Sequence, residues 1–351
     1  MYIELIPTTT PKKKPSGSLG FGKFFTDHMF TMDYSVDVGW HNARIVPYGE
    51  VGLLPSSAVF HYGQESYEGM KVYKSVDGSC YMFRPYMNAK RVNVTNARMC
   101  IPEMPEETFV TAVKELIRID SDWVPEAKDG FLYIRPFFIA TDPCLGMAVS
   151  KTFLFIIIMS PSVAFYGDLK PISIWIEDTY VRAVRGGVGY AKTGGNYAAS
   201  FLALTKAQQE GYDQVMWLDG INRRYIEEVG AMNIFLKVSN KIITPPLNGN
   251  ILPGVTRDSV LTLCQDFGMT IEERLVSIDE IIRAGDSGTL EEVFGVGTAV
   301  ILSPVNKLRY KDKEIKVTDG NVGPLSRKLY DTLIAIQRGE AIDKFEWRVS
   351  V

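Results

Sequence analysis

Cysteine is scarce, with four residues in a chain of 351, and none of Cys80, Cys100, Cys144 and Cys264 forms a Cys-x-x-Cys pair. That excludes a disulfide-stapled scaffold, a zinc ribbon and a redox dithiol, and free thiols suit the cytoplasm. Histidine is scarcer still. His28, His41 and His61 stand in unrelated contexts that make neither a metal set nor the partners of a serine nucleophile, so Gly285-Asp-Ser-Gly288 reads as a turn rather than a protease fragment. Long apolar runs are missing: the longest, Phe153 to Met159, is too short to span a bilayer, and MYIELIPTTTPKKKPSG has no apolar signal core. Charge of one sign is missing as well, because 38 Lys and Arg against 41 Asp and Glu give a net charge of -3. Nothing in that balance attracts nucleic acid or an anionic membrane, and the one basic run, Lys12 to Lys14, sits in a Pro/Ser/Gly-rich stretch that reads as a solvated arm over residues 1–20. No repeat of solenoid period is present. The expectation is a soluble cytoplasmic protein.

What is present is a chain with 46% hydrophobic residues, long enough for two cores. Alternation predicts a strand from Phe24 to Val36, followed by a Gly/Trp/Pro-rich connection. A hairpin of Met70–Lys74 and Cys80–Arg84 turns at Val76-Asp77-Gly78-Ser79. A helix starts near Pro85 and runs through Arg91, a second spans Glu106–Ile119, and apolar strands cover Phe131–Ala140 and Thr152–Met159. These make a smaller α+β domain over 21–160. Residues 161–171 turn to Pro, Ser, Gly and Asp and read as a linker. A larger domain, 172–351, then has a strand at Ile172–Ile176, a Gly-rich loop, a helix from Asn196 to Gln209 and hairpin strands at Gln214–Leu218 and Tyr225–Val229. Strands at Asn233–Val238 and Ala299–Leu302 and helices near Arg257–Phe267, Ile278–Arg283 and Leu325–Arg338 complete it.

The densest chemical signal is Arg185-Gly-Gly-Val-Gly-Tyr-Ala-Lys192-Thr-Gly-Gly-Asn-Tyr197, five glycines in thirteen residues around one lysine, just before a helix. Glycine lets backbone approach a ligand closely, and a lysine there meets a phosphate or condenses with a carbonyl. A mobile surface loop is the plainer reading. A nucleotide-binding P-loop is the sharper rival, but Ala191 puts a Cβ where phosphates must touch backbone, and no magnesium-binding carboxylate strand follows. Next come Glu227 and Glu228, adjacent in a strand-rich context; alternation sends them to opposite faces, so one points inward and needs a positive partner unless the pair lies at an edge. Finally, Leu252-Pro-Gly-Val-Thr256-Arg257 and Gly295-Val-Gly-Thr298-Ala299 each end a turn with backbone N–H groups and a threonine hydroxyl. Together they suit a phosphate, whereas either alone is an ordinary cap.

Taken in order, Phe25-Thr-Asp-His-Met, Tyr62 with Tyr67-Glu-Gly-Met-Lys, Phe83-Arg-Pro, Tyr133-x-Arg135-Pro, Lys192 with Gly-Gly-Asn-Tyr, Glu228-Val-Gly, Leu252-Pro-Gly-Val and Phe294-Gly-x-Gly-Thr-Ala resemble the branched-chain amino acid aminotransferases. These belong to the fold-type IV pyridoxal-phosphate enzymes, and the likeness, which runs from about Gly20 to Arg338, is to the larger group that includes the animal enzymes. The resemblance implies a two-domain α+β, or mixed α/β, architecture with pyridoxal 5'-phosphate as cofactor. By it, Lys192 is the catalytic residue and holds the cofactor as a Schiff base. Glu228 faces the pyridine nitrogen, Tyr197 the phenolic oxygen, and Arg91, Val255, Thr256 and Thr298 the phosphate. Phe25, Tyr62 and Tyr133 resemble the substrate pocket's walls, Arg135 the acceptor of the glutamate side chain, and Thr298 and Ala299 the α-carboxylate turn. No metal is implied. The partners implied are amino acids, 2-oxo acids and a second copy of the chain. The chain departs from many relatives at Ala231, where they have threonine, and Val300 and Ser303 stand where some animal members carry a redox-active Cys-x-x-Cys. D-amino acid aminotransferases and aminodeoxychorismate lyases share the lysine, glutamate and phosphate turns, but the Phe25 block and Tyr133-x-Arg135 favour the branched-chain group.

Overall fold

The computed structural model describes all residues except Ser16, Ser18, Val76, 127–129 and 164–168. Two compact units result: Met1–Phe165 with Ala191–Gly194 and Ile334–Val351, and Tyr166–Tyr190 with Gly195–Leu333. A single boundary at 161–171 does not describe this division. The short piece bearing Lys192 and the C-terminal segment belong to the first unit, and residues 164–168 of the expected linker lie outside the described residues.

The first unit contains β1 (Glu4–Leu5), β2 (His28–Ser35), β3 (Gly39–Pro47), α1 (Ala58–Tyr62), β4 (Glu65–Tyr67), β5 (Met70–Lys74), β6 (Cys80–Phe83), α2 (Pro85–Met99), α3 (Glu106–Ile119), β7 (Phe131–Ala140) and β8 (Thr152–Ser162). The second is built from β9 (Ile172–Glu177), α4 (Gly194–Ala198), α5 (Phe201–Gln209), β10 (Gln214–Leu218), β11 (Ile226–Val229), β12 (Met232–Val238) and β13 (Lys241–Thr244). It continues with α6 (Val255–Asp266), β14 (Thr270–Glu273), α7 (Ile278–Asp286), β15 (Leu290–Gly297), β16 (Ile301–Tyr310), β17 (Lys313–Lys316) and α8 (Pro324–Arg338), whose last turn reaches the first unit; β18 (Arg348–Ser350) returns to it.

Sheet one runs β1-β3-β2-β8-β7-β5-β6-β18, with β4 on β7. Helix α3 shows why it packs there. Phe109, Val110, Ala112, Val113, Leu116 and Ile117 fall on one face and are all buried, while Glu106 and Glu107 occupy the electropositive first turn. Phe109 stacks on Phe155 of β8, and Phe155 on Phe138 of β7 with centroids 4.3 Å apart. Sheet two runs β11-β10-β9-β16-β15-β12-β13-β14, and β11 also pairs with β12, so six strands close into a ring. Closure gives β11 a partner strand on each side, and all four of its residues are buried.

Several sequence expectations change. Strand β2 begins at His28 rather than Phe24, and the Gly/Trp/Pro-rich connection after it is strand β3, held between β1 and β2. The arm is not simply solvated: β1 pairs with β3, the Ile6 N–H donates to the Ile45 carbonyl, and the Thr8 N–H donates to His28 Nε2 at 2.9 Å. His28 Nδ1 lies 2.7 Å from Asp120, so the arm docks on a buried histidine–carboxylate pair. Helix α2 extends to Met99, the helix expected over Asn196–Gln209 is split into α4 and α5, and Thr298 to Val300 form a turn before β16 rather than part of a strand. The hairpin turn at 75–79 forms as expected at Asp77 and Gly78 (φ 83°), with Val76 outside the described residues.

Candidate active site

In the first unit the segment Ala191–Gly194 is fixed by backbone and side-chain bonds to β4 and α2. The Lys192 N–H donates to Thr95 Oγ1 at 2.9 Å, and the Tyr67 N–H donates to the Lys192 carbonyl at 3.0 Å. The Thr193 hydroxyl and the Gly194 N–H both donate to the Glu65 carboxylate. With its peptide held from both sides, Lys192 directs its ammonium over the Tyr67 ring, 4.7 Å from the centroid. Arg135 lies over the same ring at 4.7 Å and donates to the Tyr133 hydroxyl at 3.1 Å. Lys192, Tyr67, Tyr133 and Arg135 thus form one continuous wall. Gly69 has to be glycine here, because a Cβ would run into the Tyr133 hydroxyl.

Behind that wall lies a buried network that sequence reading missed. Glu68 is fully buried and accepts two parallel bonds at 2.8 Å from Arg91 Nε and Nη2, and a third from Asn88. Burial alone would raise its carboxyl, but the Arg91 charge and fork, the Lys192 charge and the Asn88 amide outweigh it and hold Glu68 below the ordinary carboxylate value. Arg91, expected only to meet a phosphate, therefore has a carboxylate partner within its own unit. Glu68 lay inside the Tyr67-Glu-Gly-Met-Lys block, but a lone carboxylate carries no spacing signal. Glu65 and Thr95 gave none either. Phe25 is stacked on Tyr48 at 4.9 Å, and Tyr62 ends α1 with its hydroxyl bonded to the Leu145 carbonyl.

In the second unit Glu227 and Glu228 are both buried, since β11 is flanked on both sides by strands. Glu228 accepts the Leu252 N–H at 2.8 Å and ion-pairs with Arg182 at 3.3 Å. Glu227 accepts from the Asn250 amide at 2.7 Å, and burial pushes its carboxyl upward despite that bond and the Arg182 charge. The loop that binds Glu228 through Leu252 leads directly into α6, where Val255 and Thr256 begin the first turn after Gly254, so their N–H groups are among the helix's unbonded donors. A Cβ on Gly254 would strike Asn233 Oδ1, so the close approach demands glycine. Thr298 and Ala299 are half-buried in the turn joining β15 to β16. Tyr197 lies on α4, whose neighbour Asn196 donates to the Val188 carbonyl at 2.7 Å and straps the glycine loop.

Residues 65–308 match the family profile described as amino-transferase class IV. The chain is a class IV aminotransferase. It is 48% identical over 350 residues to branched-chain-amino-acid aminotransferase 2 of Bacillus subtilis, covering 99% of this chain and 96% of the relative, and so falls in the branched-chain group. The crystal structure of the branched-chain amino acid aminotransferase of Escherichia coli superposes with a TM-score of 0.76 at 26% identity over 92% of this chain and 98% of that one. The Thermobaculum terrenum branched-chain enzyme, solved in its pyridoxal-phosphate form, shares the fold with a TM-score of 0.77 at 23% identity over 92% and 98%. As a class IV aminotransferase the chain takes pyridoxal 5'-phosphate as its cofactor. The donor set fits it. In the first unit a lysine is held at a defined backbone position; in the second a buried carboxylate is held beside an arginine, and α6 begins after Gly254 with N–H donors suited to a phosphate. No described helix is long and apolar enough to cross a membrane, and no metal-ligand cluster is found among the described residues.

Proposed function

We propose that this aminotransferase moves the amino group of branched-chain L-amino acids (leucine, isoleucine and valine) to 2-oxoglutarate, giving branched 2-oxo acids and glutamate, in the cytoplasm. The observation that carries the reading is the wall of Lys192, Tyr67, Tyr133 and Arg135: aromatic surface for an aliphatic side chain, one guanidinium for a second carboxylate, and an amine beside both.

Pyridoxal phosphate, when bound, supplies an electron sink that acidifies the substrate's Cα–H bond. Lys192 would hold the cofactor, and its amine would take the proton from the substrate's Cα and return it, as general base and then acid. Glu228 keeps positive charge at the ring nitrogen. Tyr197 donates to the phenolic oxygen, and the N–H groups of Val255 and Thr256 with Thr298 receive the phosphate, to which Arg91 adds charge. Phe25, Tyr62 and Tyr133 exclude water from the substrate side chain, and Thr298 and Ala299 receive its α-carboxylate. Each amino acid is processed before the oxo acid binds, so initial-rate plots are expected to be parallel, as ping-pong kinetics require.

Arg135→Ala separates the two half-reactions, because only glutamate and 2-oxoglutarate bring a second carboxylate into the pocket. Single-turnover rates should fall by about 1.5–3 kcal/mol equivalent with glutamate and far less with leucine. Equal losses would assign Arg135 to the α-carboxylate or to holding Tyr133.

The working unit we propose is a homodimer. Helix α1 and the loop after β7 are tied by the Ala58 N–H to Asp142 bond and the Ser57–Pro143 bridge, and they leave Phe60, Leu145, Met147 (89% exposed) and Val149 facing outward. Contiguous exposed apolar side chains mark an interface, and a second copy is the partner we assign to it. Sedimentation equilibrium should give twice the chain mass and Met147→Asp a shift towards monomer; a monomeric parent enzyme would remove the proposal.

A further inference from the structure

The residue that pairs with Glu228 has no part in the roles above. Arg182 lies three positions before the glycine loop, and its side chain is nearly buried, with Nε 3.3 Å from the Glu228 carboxylate. The same guanidinium donates through Nη2 to the carbonyls of Gly189 and Asn250. Gly189 is packed so closely on the Asn250 carbonyl and Ala183 that no side chain fits there. Asn250 in turn donates its amide to Glu227 at 2.7 Å, and Leu252, two residues on, donates its N–H to Glu228. Within this unit Arg182 is the cation that ion-pairs with Glu228, and the adjacent carboxylate, Glu227, has Arg182 and Asp219 in its field and is pushed upward by burial.

A buried carboxylate without a cation favours keeping a proton of its own, and a carboxylic acid cannot stabilise a proton on a ring nitrogen. We propose that Arg182 is a positioning residue for the reaction: it holds Glu228 as the ionised acceptor, while its ties to Gly189 and Asn250 fix the direction from which it does so. This rests on the reading of Glu228 as the ring-nitrogen partner. The two functions of the guanidinium, charge and strap, can be separated. Arg182→Gln keeps an amide donor for the carbonyls and removes the charge, whereas Arg182→Lys keeps the charge and loses the planar fork.

The test is a pH titration of the bound cofactor's visible absorbance band in the holoenzyme, with kcat, KM and the thermal midpoint of the cofactor-free protein measured alongside. In Arg182→Gln the spectral midpoint should move upward by about 1 unit or more, the shift expected when a neighbouring cation is lost. Its kcat should fall about tenfold with KM little changed. Arg182→Lys should return the spectral midpoint towards that of the parent even where its thermal midpoint stays low. A parent-like spectral midpoint in Arg182→Gln, or equal displacement in both variants, would reduce Arg182 to a strap and overturn the proposal. Glu228→Gln separates the two levels. If it shifts the band and Arg182→Gln does not, only this inference fails. If Glu228→Gln itself leaves band and kcat at parental values, the reading of Glu228 falls and takes the inference with it.

Discussion

Lys192→Ala is expected to fold and to lose multiple-turnover transamination, with kcat down by at least the 10²–10⁴-fold that general acid–base catalysis alone is worth. Folding should survive because the bonds that hold this residue are made by its backbone: the N–H to Thr95 and the carbonyl to Tyr67 are retained by alanine. What disappears is the amine over the Tyr67 ring, the one group assigned both to hold the cofactor and to move the Cα proton. Steady-state assays with leucine and 2-oxoglutarate, with circular dichroism as the folding control, give the answer. Turnover close to that of the parent would show that another group does this work.

Glu228→Gln is the second large effect. The substitution keeps the shape of the side chain and an oxygen for the Leu252 N–H, and it removes the charge opposite Arg182. Turnover per bound cofactor should fall on the order of 10²-fold, as when one preorganised electrostatic contact to the reacting system is lost. Cofactor content should fall much less, because the proposed phosphate donors at the start of α6 are untouched. Absorbance for content and initial rate for turnover separate the two quantities. A variant that loses cofactor yet keeps its rate per bound molecule would make Glu228 a binding residue only.

Local pattern was most informative where a segment's own periodicity decides its structure. Helix α3 and strands β5, β7 and β10 have the bounds that spacing predicted, since each has a continuous buried face or stripe. Strand β3 was not legible, because Gly39, Trp40 and Pro47 read as a connection until β1 and β2 supply partners on both sides. The break between α4 and α5 and the turn at Thr298 to Val300 are likewise set by what surrounds them rather than by propensity. The arm looked solvated for the same reason: its partner strand and the His28–Asp120 pair are remote in sequence.

By itself the sequence determined the chemistry. The lysine in its glycine loop, the carboxylate pair and the threonine turns left a nucleotide loop open, and the eight blocks in their order along the chain, by their resemblance, pointed to the family and its cofactor. The tertiary structure alone decided who holds those groups. Glu65, Glu68 and Thr95 come from elements roughly a hundred residues before Lys192, and Arg182 and Leu252 reach Glu228 from opposite directions along the chain. A supporting carboxylate or arginine has no required spacing. Burial makes its partner obligatory, and only the folded chain brings that partner into reach.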